Sequence, residues 1–387
     1  MIANADLHIH SRFSMASSPR MVPDALIEAC VKKGIQVLGS GDALHPGWQK
    51  MWAGYPEHES GVLVIPSAEI EDRDRVHHVI LMESFSDFSG LHSSLKTSSR
   101  DISTGGRPHL RCSGEEIAGL VHDLGGLIGP AHAFTPWTSL YAYFNRTSEC
   151  YGEEPIDFLE LGLSADSSYG AAISDLYNVP FLSNSDAHSP DPAKCGREFT
   201  CFDIGALTIK NVLSAVKNGK ISRNVGLFPE EGKYNRTACT RCFQKYSPKE
   251  AAGYHWRCPV DKGLIKLGVF DRAKELSDGT PVPRPPYLHM IPLGEIIKTS
   301  LNVSSTRTKK ALALYNELIT MFGNEINVLT SSPVSEIRVV HPETAEAIEA
   351  FRTNRILLHP GGGGQYGTFT LLPRGAGEDD ILQDAGL

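Results

Sequence analysis

The sequence predicts an α/β fold, a barrel or an open sheet, over its first 225 residues. Three observations predict it. Short apolar runs alternate with helix-like stretches. Turn and cap residues separate the two kinds of segment. Histidine and acidic residues fall repeatedly at the ends of the apolar runs, as they do where strand ends share one face.

The elements follow in order. Ala5–Ile9 reads as a strand. Val22–Lys33 reads as a helix, opened by Pro23 and Asp24 and stopped by Gly34. Ile35–Leu38, Gly61–Ile65, Val76–Leu81, Leu127–Ile128, Phe158–Leu161 and Phe181–Leu182 read as further strands, with helical patterns at Gly114–Leu124 and Ser167–Leu176. The alternation stops near Gly226–Gly232. A cysteine-bearing segment follows to about Gly263, then a proline-rich break at Pro281–Pro286. Leu293–Lys298, Thr308–Phe322 and Pro342–Arg352 have helical spacing, and Gly361–Gly364 must be a loop. The tail after Pro373 is acidic and expected to be mobile.

Composition excludes collagen, coiled coil and disorder, and no apolar run reaches the roughly 18 residues of a membrane span. No membrane association is expected. No export segment is evident, so a cytoplasmic location and reduced thiols are expected. The formal net charge of −8 speaks against nucleic acid only until it is divided. Residues 1–225 carry 18 Lys+Arg against 27 Asp+Glu, a net of −9, whereas 233–310 carry 15 against 6, a net of +9. Eleven of the 15 histidines lie within the first 188 residues. An acidic, histidine-rich half suits a multi-cation site, and a basic stretch suits a polyanion.

His8 and His10 stand two apart at the end of the first strand, so both imidazoles face one way. Asp42 and His45 follow the second apolar strand and Glu69 the third. His77 and His78 lie in the next, and His132 and Glu160 end two more. Asp186 and His188 end the last. A mixed imidazole–carboxylate set of this size suggests two or three divalent cations, with Zn, Fe, Mg and Mn compatible by donor type. Closely spaced cations suit phosphoester hydrolysis.

Asp-Leu-His-Ile-His-Ser at 6–11, with the later Glu, His, His and Asp-X-His, resembles the PHP (polymerase and histidinol phosphatase) family. The resemblance implies a distorted seven-stranded β/α barrel with a trinuclear metal site. It assigns His8, His10, His45, Glu69, His78, His132, Asp186 and His188 as ligands, with His78 preferred to His77. Asp186, Glu69, His45 and Asp42 are the expected catalytic residues. Two departures stand out. Two residues separate Asp42 from His45, where the family often has adjacent Asp-His, and no further ligand follows the first motif in Arg-Phe-Ser-Met-Ala-Ser-Ser.

Gly-Asp-Ala-Leu-His-Pro-Gly-Trp (41–48), Ala-Phe-Thr-Pro-Trp-Thr-Ser-Leu-Tyr (133–141), Glu-Leu-Gly-Leu-Ser-Ala-Asp (160–166) and Ser-Asn-Ser-Asp-Ala-His-Ser-Pro (183–190) narrow the resemblance to the endonuclease Q branch. Gly-Lys-Tyr-Asn-Arg-Thr-Ala-Cys (232–239) and Arg-Pro-Pro-Tyr-Leu-His (284–289) extend it past the barrel. That branch implies nicking of DNA 5′ of uracil, hypoxanthine, xanthine or an abasic site, leaving 3′-hydroxyl and 5′-phosphate ends. The expected partner is DNA, double-stranded with a deaminated base or single-stranded. No sliding-clamp docking motif is recognisable.

The domains expected are a catalytic barrel at 1–228, a zinc-knuckle-like basic segment at 229–266, and a helical lesion-recognition domain at 267–387. Cys239, Cys242 and Cys258 have knuckle spacing, but Asp261 stands where archaeal-type members have a fourth cysteine. One structural zinc is expected there, completed by Asp261 rather than His255. Lys233, Arg236, Arg241, Lys245 and Arg257 are expected phosphate contacts. Gly362, Gly363, Gly364 and Tyr366 are expected to form the base pocket, with backbone N–H groups reading the carbonyl that deamination creates. Tyr234, Phe243, Tyr246, Tyr254 and Trp256 are candidates for stacking on bases, and Trp48, Trp52 and Trp137 for packing around the scissile strand. A phosphomonoesterase acting on a small metabolite is the alternative, though it leaves the last 160 residues and their basic cluster without a role.

Overall fold

The computed structural model describes residues 1–54 and 60–372. The acidic tail after Pro373 lies outside them. Fifteen strands are described: β1 (Ile2–Asp6), β2 (Val37–Gly39), β3 (Leu63–Ile65), β4 (Ser67–Glu71), β5 (His77–Leu81), β6 (Leu127–Pro130), β7 (Leu159–Glu160), β8 (Phe181–Leu182), β9 (Phe199–Asp203), β10 (Ile221–Gly226), β11 (Ala238–Cys239), β12 (Ile265–Lys266), β13 (Tyr287–His289), β14 (Ile356–His359) and β15 (Thr368–Leu371). The barrel wall is split into three groups, ordered β13-β10-β9-β1-β2-β3, β4-β5-β6 and β7-β8. β1, β2 and β3 pair in parallel, while β4, β5 and β6 form an antiparallel meander. One apolar cluster takes Ala5, Val37, Ile65, Val79, Leu127, Leu182 and Phe202 from seven different strands. Side chains from seven strands of the wall meeting in one place are the filled interior of a barrel. The expected distorted barrel is present.

Local chemistry fixes most boundaries. The helix Pro23–Lys33 starts on its proline and ends at Gly34, whose φ of 93° is the left-handed C-cap that glycine adopts freely. Ser113 and Glu116 form a reciprocal capping box at the start of Gly114–Asp123. Two expectations shift. The first strand ends at Asp6, and beyond it the Leu7 N–H leaves the sheet for the Asn184 side chain at 2.8 Å. Only a 3-10 turn at Ser174–Leu176 forms where a helix over 167–176 was expected. There the Asp166 carboxylate takes the Ser168 N–H at 2.9 Å and competes with helical bonding.

The domain boundaries also differ from expectation. Val269, Ala273 and Leu276 pack in the same core cluster as Tyr141, Ile173 and Leu176 of the barrel. β13 adds to the barrel sheet beside β10. The separate helical layer therefore begins near Leu293 rather than at 267. It is not insulated from the barrel, because Leu26, Ile27 and Cys30 share one core with Leu293, Ile296, Ile297 and Leu318. Lys33 Nζ crosses this seam to Glu325 Oε1 at 2.7 Å, both groups being buried. Tyr315 and the Leu293 N–H complete the Glu325 carboxylate. Among the described residues no helix is long and apolar enough to cross a membrane.

Candidate metal centre

The segment just after β1 brings His8 and His10 to within 5.2 Å, ring centre to ring centre. Each ring is held from behind. Both oxygens of Glu160 contact His8 Nδ1, at 3.0 and 2.9 Å. Asn184 and the His132 N–H donate to that same carboxylate. His10 Nδ1 faces Asp42 at 3.2 Å and Ser14 at 3.1 Å. Carboxylates behind Nδ1 leave both Nε2 atoms aimed at one point, the arrangement that orients metal-ligating imidazoles. His8 Nε2 is buried without a hydrogen-bond partner, 3.8 Å from Glu69 and from Asp186. His10 Nε2 lies 3.1 Å from Asp186 and 3.3 Å from Glu69.

Glu69 is the hub. His77 Nδ1 approaches it at 2.8 Å, His132 Nε2 at 3.0 Å and Arg107 Nη1 at 3.1 Å. Burial would raise its pKa, but the imidazoles of His77, His10 and His132 hold it well below the ordinary carboxylate range. Asp186 is likewise held low against burial by His10 and His8. His188 stacks on His10 at 4.3 Å, and burial beside that ring lowers its pKa to about 4. Three groups of ligand atoms each lie within 4.8 Å of one another: His8–His10–Glu69, His10–Asp186–His188 and Glu69–His77–His132. They share His10 and Glu69, so they form one continuous set. A buried nitrogen without a partner and this N/O donor set fit divalent cations. Asp42, His132 and Asp186 all have positive φ, at 47°, 32° and 46°. Backbone of this kind clusters at functional sites.

Three expected assignments change. His77, not His78, joins the cluster. β4 and β5 set Glu71 opposite His77 and Ile70 opposite His78. Glu69, Glu71 and His77 therefore share the inner face, and His78 lies on the other. There it meets Asp72 at 3.1 Å and the Tyr151 hydroxyl at 2.6 Å. His78, Asp72 and Cys150 form a separate buried group, whereas His45 belongs to none of the ligand groups among the described residues. It caps the helix Pro46–Ala53 by accepting the Trp48 N–H and stacks on Phe13 at 3.9 Å. Asp42 orients His10 and accepts from Ser11 and Ser14 rather than entering the cluster. His77→Ala is expected to lower metal affinity about 10- to 100-fold. His78→Ala is expected to keep the metal and cost about 2 kcal/mol of stability, because it strands buried partners. Elemental analysis beside thermal denaturation checks both.

His77, His132, Asp186 and His188 open into a cavity of about 890 Å³ whose other walls include Trp137, Lys194, Lys233, Tyr234, Lys298 and Tyr366. Arg107 lines it too, and no motif marked that residue. The cavity thus lies between the barrel, the knuckle and the helical layer. Trp48 and Trp52, by contrast, are buried in the core.

In the knuckle, Cys239, Cys242, Cys258 and Asp261 bring one ligand atom each within 4.8 Å of the others. His255 is not in the group, so Asp261 takes the fourth corner. The Arg241 N–H points at Cys239 Sγ, and Gly263 N–H holds Asp261 Oδ1 at 2.8 Å. Three thiols and a carboxylate fit a structural zinc. Tyr246 bonds Cys258 Sγ and Trp256 packs on the thiol core, so neither ring is free for a base. Arg241, Lys245 and Arg257 are exposed, while Arg236 lies over Phe270 at 4.0 Å and Lys233 faces the cavity.

In the glycine loop, two of the three N–H groups expected at the base pocket bond within the chain. Gly362 and Gly364 spend their N–H groups on the carbonyls of Gln365 and Lys233, and Gly361 spends its own on Glu230. These three donors are taken within the chain. The glycines serve close approach instead. A Cβ on Gly363, where φ is 65°, would sit 2.2 Å from the Cys239 carbonyl. Gly363→Ala is expected to cost roughly 1–3 kcal/mol by prising this loop off the knuckle, read as a lowered melting temperature. Tyr366 alone of the expected pocket residues lines the cavity as a side chain.

A distorted α/β barrel carrying a shared histidine–carboxylate cluster at one end places the chain in the PHP class. Residues 292–355 match the family described as the MJ0043 C-terminal domain, which begins where the helical layer begins. The uncharacterized protein MJ0043 of Methanocaldococcus jannaschii is 43% identical over 251 residues, 63% of this chain. That match spans only 32% of the archaeal protein, about a third of its length. The uncharacterized protein YqxK of Bacillus subtilis is 32% identical over 397 residues, 94% of this chain and 98% of its own. The crystal structure of lesion-specific endonuclease PfuEndoQ from Pyrococcus furiosus superposes with a TM-score of 0.91 at 41% identity, covering 99% of both chains. That of Endonuclease Q with a 27-mer duplex substrate, an abasic lesion at its active site, gives 0.92 at 41% identity over 98% of this chain and 100% of the other. The chain belongs to the endonuclease Q family.

Proposed function

We propose that this protein is a metal-dependent DNA repair endonuclease. It nicks the phosphodiester 5′ of uracil, hypoxanthine, xanthine or an abasic site, leaving a 3′-hydroxyl and a 5′-phosphate. The observation that carries this reading is the end-to-end match, at 41% identity, to an endonuclease Q bound to lesion-bearing duplex. The cavity supports it, because barrel, knuckle and helical layer all contribute walls beside the cluster.

His8, His10, Glu69, His77, His132, Asp186 and His188 would hold the cations. Divalent ions held there would lower the pKa of a water and neutralise charge on the phosphate. The chain's own residues do the rest. Glu160 and Asp42 fix the tautomer and aim of His8 and His10. Arg107, at the cavity wall, offers a guanidinium to a non-bridging phosphate oxygen. Lys194 and Lys298 add positive charge around the strand. Water adds to phosphorus, the P–O3′ bond breaks and the 3′ oxygen takes a proton, which gives the stated ends.

The test is cleavage mapping on duplexes carrying one deoxyuridine, deoxyinosine, deoxyxanthosine or abasic site, with Mg²⁺ or Mn²⁺. A single nick on the 5′ side of the lesion is expected. No nick from metal-replete protein overturns the reading.

A further inference from the structure

Between knuckle and cavity, ammonium groups and rings alternate. Lys266 Nζ lies 4.0 Å from the Trp137 ring, and Trp137 meets Tyr234 edge-on at 6.3 Å. Lys233 Nζ lies 5.3 Å from Tyr234 and 5.9 Å from Tyr366. We infer that Lys266, Trp137, Tyr234, Lys233 and Tyr366 form a stacking ladder that takes unpaired nucleotides of a DNA strand beside the metal centre. The inference deepens the nuclease reading and rests on it.

Four observations carry the ladder. Trp137, Tyr234, Lys233 and Tyr366 all line the cavity that contains His77 and His132. Trp137 is 38% exposed and Tyr366 62%, so ring surface is left uncovered. Among the described residues, neither Lys233 nor Lys266 has a carboxylate within 4.0 Å. Held against rings instead, both ammonium groups remain available to phosphate. Finally, Trp137 is fixed relative to the cluster. Its N–H bonds Thr135 O, the Thr135 N–H bonds His132 O, and the His77 N–H bonds Thr138 O. Rings interleaved with cations match the alternation of bases and phosphates along a single strand. A paired duplex offers its base faces to no such surface, whereas a nucleotide leaving the stack does.

The experiment measures binding of a fluorescent lesion-free oligothymidylate to the full-length protein across a salt series. Tyr366→Ala, at an exposed ring, is expected to lose about tenfold in affinity with an unchanged salt slope, because stacking releases no counterions. Lys233→Gln is expected to flatten the slope by about 0.7, the value of one phosphate contact on single strands. Trp137→Ala is expected to lose about tenfold, and Trp137→Phe to restore most of it. No measurable binding by the wild type overturns the ladder. So do ring variants within twofold of wild type, or a Tyr366→Ala loss that tracks salt. A wild type that binds oligothymidylate through these residues but nicks no lesion duplex overturns the nuclease reading and leaves the ladder standing.

Discussion

Asp186→Asn is expected to abolish nicking of a deoxyuridine-bearing duplex, by on the order of a thousandfold or more. Asp186 Oδ1 lies 3.1 Å from His10 Nε2 and 3.8 Å from His8 Nε2. It also completes one of the three ligand groups with His188. Asparagine keeps the shape and loses the charge. The loop geometry survives, because the Asp186 N–H still bonds the His8 carbonyl at 3.0 Å. The melting temperature should therefore move by only a few degrees. Gel-based nicking under Mg²⁺ or Mn²⁺, beside metal content and thermal denaturation, checks this. Activity within tenfold of wild type would remove Asp186 from the centre.

Cys258→Ser is expected to release one equivalent of zinc and to weaken binding of a lesion-bearing duplex at least about 100-fold. Zinc supplies the folding free energy of domains this small, roughly 10–16 kcal/mol in isolated peptides. Among the described residues, the apolar core beneath it is Cys239, Ala251, Cys258 and Ile265, with Tyr246 and Trp256 partly covering. Such a core does not hold the segment without metal. The loss should also shrink the salt dependence of binding, since Arg241, Lys245 and Arg257 ride on this segment. Asp261→Cys should do the opposite and retain zinc longer against a chelator. Atomic absorption after dialysis and anisotropy titrations across salt check both variants.

Much of the centre was legible because most of its residues fall at or near the ends of apolar runs. His8, His10, Glu69, His132, Asp186 and His188 all converge as that pattern implies. What stayed hidden depended on facing and on distance. His77 and His78 are adjacent, so composition cannot choose between them, and only the β4–β5 register does. Asp42 and Glu160 have the chemistry of ligands, but they stand behind imidazoles. Arg107 comes from a loop with no motif and reaches Glu69 through the fold alone. The strand Tyr287–His289 pairs with residues more than 60 positions earlier, a non-local choice that local propensity does not encode. The glycine run announced close approach, but not that the approaching partner would be the knuckle's own backbone.

The seam between barrel and helical layer has a protective consequence. β13 is an edge of the barrel sheet, and the Lys33–Glu325 pair is sealed beneath a shared core. Loss of the helical layer would bare the apolar face that Leu26, Ile27 and Cys30 share with it and leave Lys33 without its carboxylate. Truncation there would thus cost the barrel stability along with its cover. Barrel and helical layer therefore stand or fall together, and a fragment carrying the histidine–carboxylate cluster alone is hard to produce.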